Sequence, residues 1–338
     1  MEKIKIIQIG VCHEHAIGKF ESLKKLDDVF ELIGYVDERS FCKTPCREPN
    51  LKRYEGYRSL TLEETFNWPG LQAVAVEVPN NDLVQVAMMC AERGLPMHLD
   101  KPAGEDLAQY KKLLDLCQAK NLPFQMGYMF RGNPAFQFCI RAVRQKLIGE
   151  VFEITADMNH CYGGESYQDY ISKFPGGLVY VLICHLIDFA AAALGRPENV
   201  TSFLRSAPED PAGGHTNCLT VLEYPNALVS FRSCSKDTAN TGGRSMKIAG
   251  TNGTIRFSPL ERFDGKEVEV SLRLKKDSGG FPAGTHTLVF PPQRDRYEVQ
   301  LRELVQMIRG EAKSPYSFEH DCLVHEITLA ASKYTTWR

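Results

Sequence analysis

From residue 4 the chain alternates short apolar runs with segments whose apolar residues recur every three or four positions. Residues 4–9 (IKIIQI) predict a buried strand, and the spacing that follows predicts a helix through Phe20 and Leu26. A second strand is expected over 30–36, ending at Asp37, and another in the β-branched run 71–78 (LQAVAVEV). Residues 83–93 have helical spacing and stop at Gly94. A strand at 97–99, a helix at 107–120 and a strand at 124–126 complete the series. Strand and helix in strict alternation predict a parallel sheet with right-handed crossovers, a doubly wound α/β domain.

The pattern changes near Gly127. A helix is expected at 134–146 and a strand at 151–157, then a polar aromatic loop over 159–170. The stretch 178–194 (LVYVLICHLIDFAAAAL) is apolar nearly all round, which predicts a buried helix. Because it carries His185 and Asp188 near its middle, it does not read as a membrane span. From 200 to about 290, alternating runs separated by turns such as Tyr224-Pro-Asn-Ala predict a large, mainly antiparallel open sheet. Helices at 295–309 and 319–334 close the chain. Two domains are expected, 1–125 and 126–338.

Composition adds a few exclusions. Forty Lys and Arg balance 42 Asp and Glu, for a net charge of −2, so bulk charge gives no reason to bind nucleic acid or anionic lipid. None of the 11 cysteines forms a CxxC pair, and the N-terminus turns apolar at once as a strand. That pattern fits reduced thiols, hence a cytoplasmic protein.

Several residues stand where doubly wound sheets carry chemistry. The first strand runs into Gly10-Val-Cys12-His13-Glu-His15, where only the first glycine of a GxGxxG turn survives. Asp37 ends the second strand, where an acid accepts from ribose hydroxyls. Nucleotide binding at Gly10 and Asp37 competes with a simple strand-to-helix turn and a solvated acid. His13 is a donor suited to a pyrophosphate oxygen. Cys12, His13 and His15 also invite a metal reading, but a structural zinc takes four ligands and no partner pair lies nearby in sequence, so no metal is expected. Lys101, in Asp100-Lys101-Pro102, follows a strand and points toward the ligand crevice; the competing reading is an ordinary turn. His185 and Asp188, three apart, share a face of the apolar helix, as a structural pair or as catalytic groups.

Three motifs in order resemble the glucose–fructose oxidoreductase/inositol dehydrogenase/MocA (Gfo/Idh/MocA) family across almost the whole chain. They are the (E/D)KP turn Asp100-Lys101-Pro102, the segment Gly127-Tyr-Met-Phe-Arg131-Gly-Asn133-Pro134, and Gly176-Gly177 with Cys184-His185-Leu-Ile-Asp188. The resemblance implies a Rossmann dinucleotide-binding domain at 1–125 and a substrate-binding, oligomerising α+β domain at 126–338. It implies an NAD(P)-dependent oxidoreductase moving hydride between nicotinamide and a sugar, cyclitol or related polyol. Lys101 would orient the substrate hydroxyl and His185 would exchange its proton. Gly10, Cys12, His13, Asp37, Pro79, Asn80, Asp100 and Lys101 would line the cofactor. Asp37 favours NAD, with Arg39 two residues on leaving NADP possible. A homodimer or homotetramer is expected through the uncovered sheet face.

The chain also departs from the family pattern. Cys12 and His15 replace two glycines, and Val181 stands four residues before His185, where relatives commonly carry an aspartate. Two alternatives therefore accompany the dehydrogenase: a nucleotide- or ligand-binding protein of the same fold with little redox turnover, or an enzyme whose tightly held NAD cycles internally, as in an epimerase or lyase.

Overall fold

The computed structural model describes residues 2–43, 48–161, 165–210 and 214–338. The chain divides into two units, residues 1–132 with 295–322, and residues 133–294 with 323–338.

The first unit alternates strand and helix: β1 (Ile4–Ile9), α1 (Ala16–Lys25), β2 (Phe30–Val36), β3 (Arg58–Leu60), α2 (Leu62–Phe66), β4 (Ala73–Val76), α3 (Leu83–Glu92), β5 (Met97–Leu99), α4 (Leu107–Ala119) and β6 (Phe124–Met126). All six strands are parallel, in the order β3-β2-β1-β4-β5-β6. Chain direction therefore reverses across the sheet between β1 and β4, the switch point where such sheets open a ligand crevice. Continuous apolar strands such as β4 (AVAV, buried throughout) suit a sheet covered on both faces.

One cluster joins Ile4, Ile6, Phe30, Ala73 and Ala75 to Tyr297, Leu301 and Val305. Another joins Phe20, Tyr35 and Tyr54, whose rings lie 4.5–5.9 Å apart. The sequence reading missed β3 and α2, although Thr61 and Glu64 form a complete capping box at α2.

The second unit holds α5 (Pro134–Arg144), β7 (Val151–Asp157), α6 (Glu165–Ser172), α7 (Cys184–Leu194), β8 (Asn199–Arg205), β9 (Asn217–Tyr224), β10 (Ala227–Cys234), β11 (Ser245–Gly250), β12 (Gly253–Phe257), β13 (Val268–Leu274) and β14 (Gly284–Phe290). These eight strands form one sheet, β14-β13-β12-β11-β7-β10-β9-β8, antiparallel except for β7 against β10. Strict alternation, as in β13 (VEVSLRL), turns one face inward, where Phe136 of α5 meets Phe189 of α7 and Phe257 of β12.

Two local expectations need correction. The segment 159–170 is not all loop, because α6 begins within it. The apolar run 178–194 is not one regular helix: residues 179–183 form a π turn, with the Cys184 N–H bonded to the Val179 carbonyl, before α7 begins. The helices α8 (Glu298–Ile308) and α9 (Phe318–Ala331) close the chain, and α8 belongs to the first unit. The reading at 126–338 had assigned it to the second. Burial of Tyr297, Leu301 and Val305 against β1 and β4 is what holds it there.

Candidate active site

In the first unit, the sequence-predicted cofactor residues follow the carboxyl ends of successive strands: Gly10 after β1, Asp37 after β2, Pro79 and Asn80 beyond β4, and Asp100 and Lys101 after β5. Gly10 has φ +101°, and a Cβ there would lie 2.6 Å from the Glu77 main chain. The glycine thus lets β1 turn tightly against β4. His13 N–H donates to the Glu77 carbonyl, which ties the turn down. Cys12 and His13 are buried, and His15 is half-buried at the start of α1. The first turn of α1 holds no acidic residue and no side chain caps it; the Ala16 N–H donates to the His13 carbonyl, and the N–H groups that follow suit an anion.

Asp37 is paired with Arg39, with Nε 2.9 Å and Nη2 3.3 Å from its two carboxylate oxygens. The Asn80 side chain donates to the Lys101 carbonyl at 3.0 Å, and Lys101 N–H donates to Asp100 Oδ1 at 2.6 Å. Asn80 and Asp100 therefore fix the backbone on both sides of the Lys101 side chain, which is itself buried.

The sequence reading missed a group of charged residues buried beside this turn. Lys19 of α1, Glu77 after β4 and His98 within β5 are all fully buried. Lys19 Nζ contacts His98 Nε2, sits 3.8 Å over the Tyr297 ring and lies 3.9 Å from Glu77. His98 Nδ1 faces the Gln125 carbonyl oxygen at 2.9 Å, so Nδ1 carries the proton and Nε2 accepts from Lys19. Asp100 lies 3.0 Å from His15 Nδ1 and 3.8 Å from His13 Nδ1, while Glu77 lies 3.7 Å from His13 Nδ1.

Electrostatics separates these groups. Burial, then the Asp100 charge, pushes Glu77 well above the ordinary carboxylate range. Burial acts on Asp100 in the same direction, but His13, His15 and Lys19 together outweigh it and hold Asp100 well below that range. Burial lowers His13 to about 4 and His98 to about 3. A signal existed in the sequence: Lys19, Glu77 and His98 each interrupt an apolar segment, and buried charge must find partners.

In the second unit, His185 and Asp188 lie buried in the first turns of α7, immediately after the π turn. Val181 is buried within that turn, and Tyr180 stacks between Phe174 and Tyr334. Gly177 has φ +49°, and a Cβ there would overlap the His215 carbonyl at 2.1 Å. The close approach that the paired glycines permit is thus made by the chain itself at 215. Tyr162, in the polar aromatic segment after β7, lies outside the described residues.

Residues 136–256 match the family profile of the GFO/IDH/MocA C-terminal domain, and the whole fold has counterparts among oxidoreductases. Over that segment the chain is similar to the Gfo/Idh/MocA family. It is 27% identical over 228 residues to an uncharacterized oxidoreductase of Schizosaccharomyces pombe, a match covering 66% of this chain and 60% of that protein. It is 24% identical over 214 residues to D-xylose 1-dehydrogenase (NADP(+)) 2 of Haloferax volcanii, covering 62% of each. The chain thus spans less than two thirds of both relatives. A solved oxidoreductase of Desulfitobacterium hafniense, described as NADPH-dependent, superposes with a TM-score of 0.78 at 19% identity, covering 98% of this chain and 95% of that one. The WlbA dehydrogenase of Chromobacterium violaceum, solved with NADH and UDP-GlcNAcA, superposes with a TM-score of 0.75 at 16% identity, covering 98% and 93%. Among the described residues, no helix is long and apolar enough to cross a membrane.

Proposed function

We propose that this protein is an NAD(P)-dependent dehydrogenase of a sugar, cyclitol or related polyol. The observation that carries the reading is the set of residues at the carboxyl edge of the parallel sheet. Gly10, Asp37, Asn80, Asp100 and Lys101 follow β1, β2, β4 and β5 around the switch point. A nicotinamide dinucleotide fits this edge at two places. The uncapped N-terminus of α1 suits a pyrophosphate, and Asp37 suits a ribose. Arg39, bonded to Asp37, tempers the repulsion a 2′-phosphate would meet, so NAD is the expected cofactor with NADP tolerated. The relatives support both, one named for NADP and one solved with NADH.

When bound, the nicotinamide supplies the hydride acceptor or donor. Lys101 would donate a hydrogen bond to the substrate hydroxyl and stabilise developing negative charge on its oxygen. His185 would take that hydroxyl's proton in oxidation and return it in reduction. Asn80 and Asp100 hold the Lys101 backbone through the hydrogen bonds already described.

The proposed setting is the cytoplasm, on the cysteine pattern. The proposed assembly is a homodimer or homotetramer using the outer face of the eight-stranded sheet, where Phe203 and Leu228 are 54% and 61% exposed.

The test is a calorimetric titration with NADH and NADPH, followed by a polyol screen with Lys101→Ala and His185→Ala. Micromolar NADH binding, with turnover lost in both variants, is the expected result. Binding without turnover on any polyol would favour the second reading, a same-fold binding protein or an internally cycling enzyme. The buried Val181, standing in the place of an acid, is the observation on that side. Absence of nucleotide binding would defeat the proposal.

A further inference from the structure

We propose that His13, His15 and Asp100 form a binding site for a divalent transition-metal ion at the turn after β1. In sequence, the two histidines lack a third ligand; the fold brings one from 85 residues away. One ring nitrogen from each histidine and one Asp100 oxygen all lie within 4.8 Å of one another. Two imidazoles and a carboxylate form the donor set that suits zinc, iron, cobalt or nickel, and three protein ligands leave coordination positions open.

The spacing supports the assignment. Two donors about 2.0–2.2 Å from a shared ion, at roughly 90–110°, lie about 3.0–3.5 Å apart. His15 Nδ1 lies 3.0 Å from Asp100 Oδ1 and His13 Nδ1 lies 3.8 Å from Asp100 Oδ2, so one imidazole nitrogen stands beside each carboxylate oxygen. His13 Nδ1 is the unprotonated ring nitrogen, since it accepts the His15 N–H at 3.2 Å, and a bound ion would take the place of that hydrogen bond.

A second observation is independent of that spacing. His13 Nε2 is buried without a hydrogen-bond partner, which is unusual because buried polar atoms are nearly always satisfied. The Asp100 carboxylate lies beside both histidines and supplies the negative ligand. The His15 side chain is 22% exposed, so an ion can reach the site from solvent. A bound ion would tie the turn after β1 to the end of β5. Through the Asp100 carboxylate, which accepts the Lys101 N–H, it would also steady the backbone at Lys101.

The test uses the untagged chain, stripped with EDTA and dialysed, then titrated with Zn(II) or Co(II). Metal content is read by mass spectrometry and cobalt coordination by visible absorption. One equivalent of metal with a Co(II) ligand-field spectrum is expected. Affinity should fall at least tenfold in His15→Ala and in Asp100→Asn, and remain unchanged in His286→Ala, a histidine on β14. If Asp100→Asn fails to fold, His15→Ala, whose side chain is partly exposed, carries the comparison. No stoichiometric binding, or binding that His15→Ala leaves intact, overturns the proposal. Because the readout is metal content, it stands or falls separately from nucleotide binding.

Discussion

Replacing Gly10 with alanine tests whether this glycine serves the fold or the cofactor. Two costs add at this position. The first is conformational, because φ is +101° and a non-glycine residue held there costs on the order of 1–3 kcal/mol. The second is steric, because the new Cβ would lie 2.6 Å from both the Glu77 carbonyl carbon and oxygen and 2.7 Å from Val78 Cγ1. Two of those three atoms are main chain of the segment following β4 and cannot rotate away. Overpacking of this kind costs about 1–3 kcal/mol, so the expected total is about 2–6 kcal/mol. Gly94 provides the control within the same unit: its φ is +72°, and a Cβ there meets nothing within 4 Å. Gly94→Ala should carry only the conformational part, on the order of 1–3 kcal/mol. Both are measured by urea denaturation, and the difference between them isolates the contact with Glu77. Equal losses, within about 0.5 kcal/mol, would refute the reasoning that close approach to β4 is what demands glycine. NADH titration of Gly10→Ala below its unfolding midpoint then separates the roles: unchanged affinity with reduced stability assigns Gly10 to the fold.

Three further outcomes are expected. Arg131 and Asp321 form a buried pair at 2.6 Å, with Arg131 lying 4.0 Å from the Tyr316 ring, so Arg131→Met should cost about 3–5 kcal/mol by stranding the carboxylate. The double variant Arg131→Met/Asp321→Leu should recover most of that loss in urea denaturation; a single-variant cost below about 1 kcal/mol would contradict it. Burial lowers His325 to about 3, below its ordinary unfolded value near 6.5, so the unfolded chain binds the extra proton between those values. The stability it contributes is complete above pH 6.5 and falls by about 1.4 kcal/mol per unit as pH drops toward 3, so His325→Leu should flatten the acid limb by that slope. Asp37→Ser, which releases Arg39, should raise the NADPH-to-NADH affinity ratio about tenfold, or about 1.4 kcal/mol, by calorimetry; an unchanged ratio would remove Asp37 from the ribose site.

Long periodic segments carried the fold in the sequence. β1, β2, β5, β6 and β7 begin and end where the apolar runs do, because each run is bounded by turn residues or by a polar helix face. Short elements escaped. β3 has three residues and α2 has five, too few for either period to register, and only the Thr61–Glu64 pair marked α2. The membership of α8 was illegible for another reason. Its apolar face is ordinary, and nothing local reveals that Leu301 and Val305 pack with Ile4 and Ile6 nearly 300 residues earlier. The π turn before α7 was equally hidden, since an added residue in a uniformly apolar run changes no pattern.

At the candidate site, the residues at strand ends were legible because position along a strand is a sequence property. What the sequence withheld was proximity: His15 to Asp100, Lys19 to His98, and Glu77 to His13. These contacts alter how the turn is understood. Cys12 and His15 looked like the loss of two glycines from a nucleotide fingerprint, a subtraction. In the fold, His13 and His15 belong to a buried polar cluster whose other members break the apolar pattern of α1 and β5 and of the segment after β4. Violations of local rules that converge on one place are expected at functional sites. The cluster also bears on the nucleotide. Asp100 lies beside the turn that leads into α1, and its carboxylate there would repel a pyrophosphate. A divalent ion held by His13, His15 and Asp100 would remove that repulsion. Where both proposals hold, EDTA treatment should weaken NADH binding in the native chain and leave it unchanged in His15→Ala, because the variant has no ion to lose.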